Sequence, residues 1–330
     1  MNYVYVLTAS PDDTYYEQFF LSVASLRLHN PSAVVIVLTN KNTEKYLCGC
    51  RRGYEKYVSK IENIAVPDKF SQKEASRWIK TSICQYIAGD FLYIDCDTII
   101  TGSLDYTSLR GINIGAVPDC HIPFKNHHYY RQFRDENIKL GFNSVFEYEN
   151  YYNGGVIYCG DTPDSRRFFE KWHSLWNDCR QKGSSQDMPP LNRANYEFHN
   201  IISEISGEWN CQISHNGLPF LSHAKIIHYF STSLFFVSPP FTLASESVLS
   251  SIKKTGEIST EIYAKLQDPK SAFEANSTIV SDDDVLKVIN SSIFSMLRRL
   301  RKKNRVIFDI LDAFVYRLIF FLKRNVSSGR

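Results

Sequence analysis

The chain reads as an α/β protein with an open, mostly parallel sheet flanked by helices. Three observations predict this class. Tyr3–Leu7 is an alternating, β-rich run that closes at Thr8-Ala9-Ser10-Pro11-Asp12-Asp13. A helical pattern follows from about Thr14 to His29, with Phe19, Phe20, Val23, Ala24 and Leu26 on its apolar face. Ala33–Leu38 is then a second short apolar run, after the helix stop at Asn30-Pro31. Strand, helix and strand in that order form a βαβ unit, so the sheet begins parallel.

The later elements continue the alternation. Ile61–Val66 is a candidate third strand, and Ser71–Ala88 reads as a helix leading into the apolar strand Phe91–Ile94. Gly115–Val117 is a short strand ending at Pro118-Asp119. A polar, aromatic, His-rich stretch over 120–150 has the composition of a lid or substrate-facing insertion. Val156–Cys159 is a further strand behind Asn153-Gly154-Gly155, whose glycines allow close backbone approach. Next come a helix over about Ser165–Arg180, a loop around Asp187, and a late strand, Ala224–Tyr229, that carries His228.

Composition sets the broad class. The chain has 330 residues, 43% hydrophobic and 22% charged, which is ordinary for a soluble globular protein. A net charge of +3 is too small to imply a nucleic-acid partner. The eight cysteines include no C-x-x-C pair, and no basic region precedes the first strand, so a reducing, cytoplasmic setting is expected. Three segments are expected: a catalytic domain over 1–235, a helical accessory segment over 236–292 after Pro239-Pro240, and a basic amphipathic end over 293–330. That end holds Arg298, Arg299, Arg301, Lys302, Lys303 and Arg305 ahead of an apolar run broken by Asp309, Asp312 and Arg317. Charges at that density favour a helix lying on a membrane surface over one that spans it.

The chemistry concentrates at Asp95-Cys96-Asp97. If the strand continued, the two carboxylates would share a face about 6.5–7 Å apart. If the chain turns out of the sheet there, both can converge on one hard cation, Mg²⁺ or Mn²⁺, that also takes phosphate oxygens. The end of a strand in an open α/β sheet is where ligands bind. On pattern alone, a structural turn remains the other reading.

Several segments in this order resemble glycosyltransferase family 8, whose members are retaining enzymes of the GT-A fold. They are Leu7-Thr8-Ala9 with Tyr15, Ser76-Arg77-Trp78, Tyr93–Thr98, Pro118-Asp119, Tyr152–Val156, Asp187-x-Pro189-x-Leu191-Asn192, and Ile227-His228. The resemblance implies a UDP-sugar donor and a glycan acceptor, and the basic amphipathic end over 293–330 points to a lipid-linked glycan at the inner face of a membrane. Thr8, Ala9 and Tyr15 would bind the uridine, and Asp95, Cys96, Asp97 and Gly154 the diphosphate side. Arg77 would face the pyrophosphate or sugar, with Lys80 competing for that role. His228 would join Asp95 and Asp97 as third metal ligand, which favours Mn²⁺ over Mg²⁺. Asn153 would bond sugar hydroxyls, Asp119 would order sugar hydroxyls or the lid, and Asp187 would lie near the anomeric carbon. The chain departs from the family at Met188, where Gln is usual, and at Tyr229–Ser233, where bacterial members carry Gly-x-x-Lys-Pro-Trp. An inverting GT-A transferase, a nucleotidyltransferase and a catalytically silent sugar-nucleotide or glycan-binding protein remain open at this point.

Overall fold

The computed structural model describes residues 1–230, 241–273, 283–289 and 291–327. Ser231–Ser233 and Pro239-Pro240, both singled out above, lie outside the described residues. The strands are β1 (Asn2–Val6), β2 (Val34–Thr39), β3 (Lys60–Asn63), β4 (Phe91–Ile94), β5 (Thr98–Ile100), β6 (Ile114–Pro118), β7 (Tyr152–Cys159), β8 (Ile202–Glu204), β9 (Cys211–Gln212) and β10 (Ile226–His228). The helices used below are α1 (Tyr15–His29), α2 (Gln72–Thr81), α3 (Tyr130–Leu140), α4 (Pro163–Gln181), α5 (Met188–Glu197), α6 (Glu246–Thr255) and α7 (Thr260–Gln267).

Seven strands form the central sheet in the order β3-β2-β1-β4-β7-β6-β8. All its pairings are parallel except those of β7, which runs antiparallel to both β4 and β6. The β-type alternation of the sequence sorts β1 across this sheet. Tyr3, Tyr5 and Leu7 pack with Phe19, Phe20 and Val23 of α1, while Val4 and Val6 pack with Ile79 and Ile83 on the other face. A smaller sheet, β5-β10-β9, grows from the chain that leaves β4.

Four expectations change. The helix expected over 71–88 stops at Thr81, because the Thr81 and Ser82 hydroxyls bond back to the Arg77 and Trp78 carbonyls. The 120–150 stretch is not a bare lid: it contains α3, and Phe124, Val145, Tyr148 and Tyr151 give it an apolar cluster of its own. The strand expected from Val156 begins at Tyr152, so Asn153-Gly154-Gly155 belongs to β7 itself. The loop expected after Asp187 is α5, which the two prolines Pro189-Pro190 open rather than break.

Residues 1–230 and 241–273 belong to one compact unit. Leu249 and Ile252 of α6 and Ile262 and Leu266 of α7 share the core cluster of α1. Residues 283–327 belong to a second unit of three helices: α8 (Asp283–Ile289), α9 (Ser292–Lys303) and α10 (Arg305–Ser327). Val306, Ile307, Ile310, Phe314 and Tyr316 of α10 are exposed. Among the described residues, no helix is long and apolar enough to cross a membrane.

Candidate active site

The site forms where parallel β1, β4 and β6 end and antiparallel β7 begins. Pairing of Ile94 with Val156 is followed by a hydrogen bond from Asp95 N–H to Gly155 C=O at 2.7 Å. Beside it, Pro118 pairs with Tyr152, and Asp119 N–H donates to Tyr151 C=O at 2.7 Å. The topology therefore brings Asp95, Asp119 and the Asn153–Gly155 stretch to one edge, outside the carboxyl ends of the strands.

The chain does turn out of the sheet at Asp95. Thr98 Oγ1 donates to Asp95 C=O at 2.9 Å, and β5 starts a new sheet one residue after Asp97. In that sheet His228 stands opposite Thr98, and Tyr229 N–H donates to Asp97 C=O at 3.2 Å. Register thus places His228 Nε2 3.3 Å from Asp97 Oδ1. Ligand atoms of Asp95, Asp97 and His228 all lie within 4.8 Å of one another. Two carboxylates and an imidazole suit a divalent transition-metal ion, and this donor set fits one. Cys96 stays between the carboxylates in the chain, but its thiol donates to Val6 C=O at 3.5 Å, and burial followed by the two aspartates holds it protonated.

A second charge cluster adjoins the first. α2 starts with a capping box, Ser71 and Glu74 each bonding the other's backbone N–H. One turn apart on this helix, Arg77 Nε lies 2.9 Å from Asp187 Oδ1 and Lys80 Nζ 2.8 Å from Asp187 Oδ2. Lys80 Nζ also reaches Asp95 Oδ1 at 3.4 Å and sits 4.9 Å from the centre of the Tyr93 ring. Tyr93 Oη donates to the same Asp95 oxygen. Lys80 is 2% exposed, which such a charge tolerates only when paired.

The local sequence explains why Asp187 is available for this pairing. Asp187 is the N-cap of α5, where a carboxylate ordinarily accepts from the N–H of the second or third helical residue. Here those residues are Pro189 and Pro190, which have no N–H. The carboxylate makes no capping bond and turns to α2 instead. Burial alone would raise its pKa, but Arg77 and Lys80 outweigh burial and hold it below the usual carboxylate range. Met188, in place of the expected Gln, packs against the Phe124–Tyr151 cluster. Asn192 bonds both the N–H and the C=O of Tyr152, clamping α5 to the start of β7.

The two glycines of β7 run between these groups. A Cβ on Gly154 would lie 3.3 Å from both Asp187 Oδ2 and Lys80 Nζ. One on Gly155 would lie 2.3 Å from His228 Cε1, so only glycine fits beside that ring. Asn153 Nδ2 donates to Asp119 Oδ1 at 2.7 Å, and its Oδ1 accepts from Gly155 N–H at 2.8 Å. Burial opposes ionisation of Asp119, but bonds from His127 and Asn153 leave its pKa lowered.

The opening loop lies next to α2. Gln72 Nε2 donates to Thr8 C=O at 2.8 Å and to Asp13 Oδ2 at 2.6 Å. Ala9 N–H donates to Thr43 Oγ1 at 3.0 Å, so these backbone groups of Thr8 and Ala9 already have protein partners. Tyr15 keeps an exposed ring; burial and then Asp13 raise its phenol pKa, while Arg77 pulls it down. Asp13 and Gln72 carry no special signal in the sequence, one being an Asp in a turn and the other a Gln on a helix.

Asp119, Cys120 and His127 also bring ligand atoms within 4.8 Å. His127, however, accepts from Tyr129 N–H at Nδ1 and bonds Asp119 Oδ2 through Nε2, so both ring nitrogens are engaged. This group is a hydrogen-bonded brace rather than a second cation site.

The family model of glycosyl transferase family 8 matches residues 6–233, more than half of the chain. The chain belongs to this family. It is accordingly a glycosyltransferase with the α/β GT-A architecture. Enzymes of this class generally use a divalent metal ion and a nucleotide-sugar donor, with a glycan as acceptor. Similar solved structures include the galactosyltransferase LgtC in complex with donor and acceptor sugar analogs, at 17% identity and TM-score 0.48 over 80% of this chain and all of that one. Mouse xyloside xylosyltransferase 1 in its apo form shares 13% identity at TM-score 0.45, over 71% of this chain and 99% of that one. Glycosyltransferase GlyE of Streptococcus pneumoniae TIGR4 shares 17% identity at TM-score 0.45, over 82% of this chain and 65% of that one. No curated sequence matches the chain.

Proposed function

We propose that this enzyme transfers a hexose from a UDP-sugar, UDP-galactose or UDP-glucose, to a glycan or lipid-linked oligosaccharide with retention at the anomeric carbon. Its setting would be bacterial surface polysaccharide synthesis, such as lipopolysaccharide, at the inner face of the membrane. The observation that carries this reading is the convergence of Asp95, Asp97 and His228 beside the Arg77–Asp187–Lys80 cluster.

The metal assigned to this site is Mn²⁺ before Mg²⁺, because imidazole joins the two carboxylates. A divalent ion bound there supplies Lewis-acid charge to the departing diphosphate. Tyr15 stacks on the uracil at the mouth of the loop that carries Thr8 and Ala9. Cys96 and Gly154 contribute backbone beside the diphosphate and sugar. Arg77 and Lys80 set a fixed positive potential where negative charge develops on the leaving group. Asp187, kept ionised by the same two cations, faces the positive charge developing at C1 and either stabilises it or traps it, as carboxylates do in glycosidases. The other route open to the chemistry is attack by the acceptor on the face the diphosphate leaves. Asp119 accepts from sugar hydroxyls, and Asn153 has one amide N–H beyond its bond to Asp119.

The test incubates the protein with each UDP-sugar and measures UDP release with Mn²⁺, with Mg²⁺ and after chelation. Release should require the metal, and Asp97→Asn should lower it on the order of a thousand-fold. Near-wild-type, metal-dependent turnover by Asp97→Asn overturns the assignment. The anomer of the product, read by NMR, separates retention from inversion.

A further inference from the structure

His228 is linked to the rest of the site by a buried chain of amides whose polarity can be worked out from one end. The Gly155 N–H can only donate, and it donates to Asn153 Oδ1 at 2.8 Å. That fixes the Asn153 amide with Oδ1 toward β7 and Nδ2 toward the Asp119 carboxylate. The Asn210 amide approaches the same Asn153 oxygen at 3.0 Å, so it must present Nδ2 there. Asn210 Oδ1 then faces His228 Nδ1 at 2.9 Å and must accept from it. With its proton on Nδ1, a neutral imidazole has its lone pair on Nε2, the nitrogen 3.3 Å from Asp97 Oδ1.

The opposite orientation of Asn210 would place its oxygen against Asn153 Oδ1 and give up that buried hydrogen bond, which costs the desolvation of the unpaired groups. Asn210 is 0% exposed and Asn153 3%, so bulk solvent does not reach either amide. The ring plane is held as well. Gly155 lies against one edge of the imidazole, and the Phe230 ring centroid is 4.0 Å from that of His228.

We propose that Asn210, oriented through Asn153 by the Gly155 N–H, is a positioning residue that fixes His228 as an Nε2 ligand of the divalent-metal site. The inference rests on the reading of Asp95, Asp97 and His228 as that site. Outer partners of metal-binding histidines typically contribute about 10–100-fold in metal affinity. Asn210 carries no motif in the sequence: it follows Trp209 at the end of a short 3-10 turn, just ahead of the two-residue strand Cys211–Gln212.

The experiment has two arms. In the first, ¹⁵N NMR of histidine-labelled, metal-free full-length protein reads the His228 tautomer, assigned with His228→Ala. A pyrrole-type Nδ1 and a pyridine-type Nε2 are expected, and the reverse overturns the proposal even if no Asn210 variant folds. In the second, Mn²⁺ binding is measured by EPR of the free ion. Asn210→Leu should bind about 10–100-fold more weakly than wild type. Asn210→Asp, which keeps an acceptor at Nδ1, should bind more tightly than Asn210→Leu. Wild-type affinity in Asn210→Leu, alongside weakened binding in His228→Ala, overturns the positioning role alone. Equal binding by wild type and His228→Ala overturns the underlying metal reading itself.

Discussion

Lys80 and Arg77 occupy the same face of α2, one turn apart, and spacing alone gives no reason to rank them. The tertiary structure divides their work. Lys80 is the buried member, bridging Asp187 to Asp95, while Arg77 lies toward solvent on the other Asp187 oxygen. Removing one partner of a buried pair leaves an uncompensated charge, so Lys80→Met should destabilise the protein by about 3–5 kcal/mol. A lowered urea midpoint at unchanged slope is the measurement. Asp187 adds a pH dependence of definite sign. Its folded pKa is depressed below the unfolded value of 3.8, so its contribution is complete above that value and is lost as pH falls through the folded pKa. Wild type should therefore lose stability below about pH 4, and Asp187→Asn should flatten that acid limb in urea titrations at each pH.

At the scale of elements, the helix that carries both cations is set by its start. The Ser71–Glu74 capping box satisfies N–H groups that would otherwise be orphaned, and Ser71→Ala should cost about 1 kcal/mol. Calorimetry should show this as a lower Tm, and Lys80 and Arg77 are the functional groups at risk. Its end is hidden in the sequence, because Ile79, Ile83 and Ile87 continue an apolar helical spacing while the Thr81 and Ser82 hydroxyls bond back to the preceding turn. The start of α5 is hidden for the opposite reason. Pro189-Pro190 marks a break in most contexts, yet at the first turn of a helix the missing N–H groups have no intrahelical role. The same two prolines deprive Asp187 of capping partners, so one local feature both starts the helix and frees the carboxylate.

For the whole molecule, sheet order β3-β2-β1-β4-β7-β6-β8 gathers the ends of four strands at one edge. The small sheet then returns His228 to that edge from late in the chain. The unit holding this site has its own core, closed by α6 and α7 on α1. A chain ending at residue 281 should therefore keep UDP and Mn²⁺ binding in calorimetric titration. The six basic residues from Arg298 to Arg305 would each contribute about 1 kcal/mol at an anionic surface. Full-length protein should accordingly sediment with phosphatidylglycerol-containing vesicles at low salt, and the shortened chain should not. Equal sedimentation of the two would remove the membrane from the proposed function.

The α/β class, the opening βαβ unit and the Asp95–Asp97 pair at a strand end were legible in the sequence, and the family resemblance added the candidate ligand His228. Each depends on local chemistry or on motifs in a fixed order: alternation at period two, helix stops, and carboxylates where an apolar run ends. Lys80 as the buried bridge, Asn210 behind His228 and Gly155 against its ring were not legible. Their roles depend on which strands are neighbours and in what register, and on whether a carboxylate finds a partner nearby or across the molecule. Those contacts join residues far apart in the chain, and local patterning carries no record of them; close packing of the sheet edge alone decides which side chains meet.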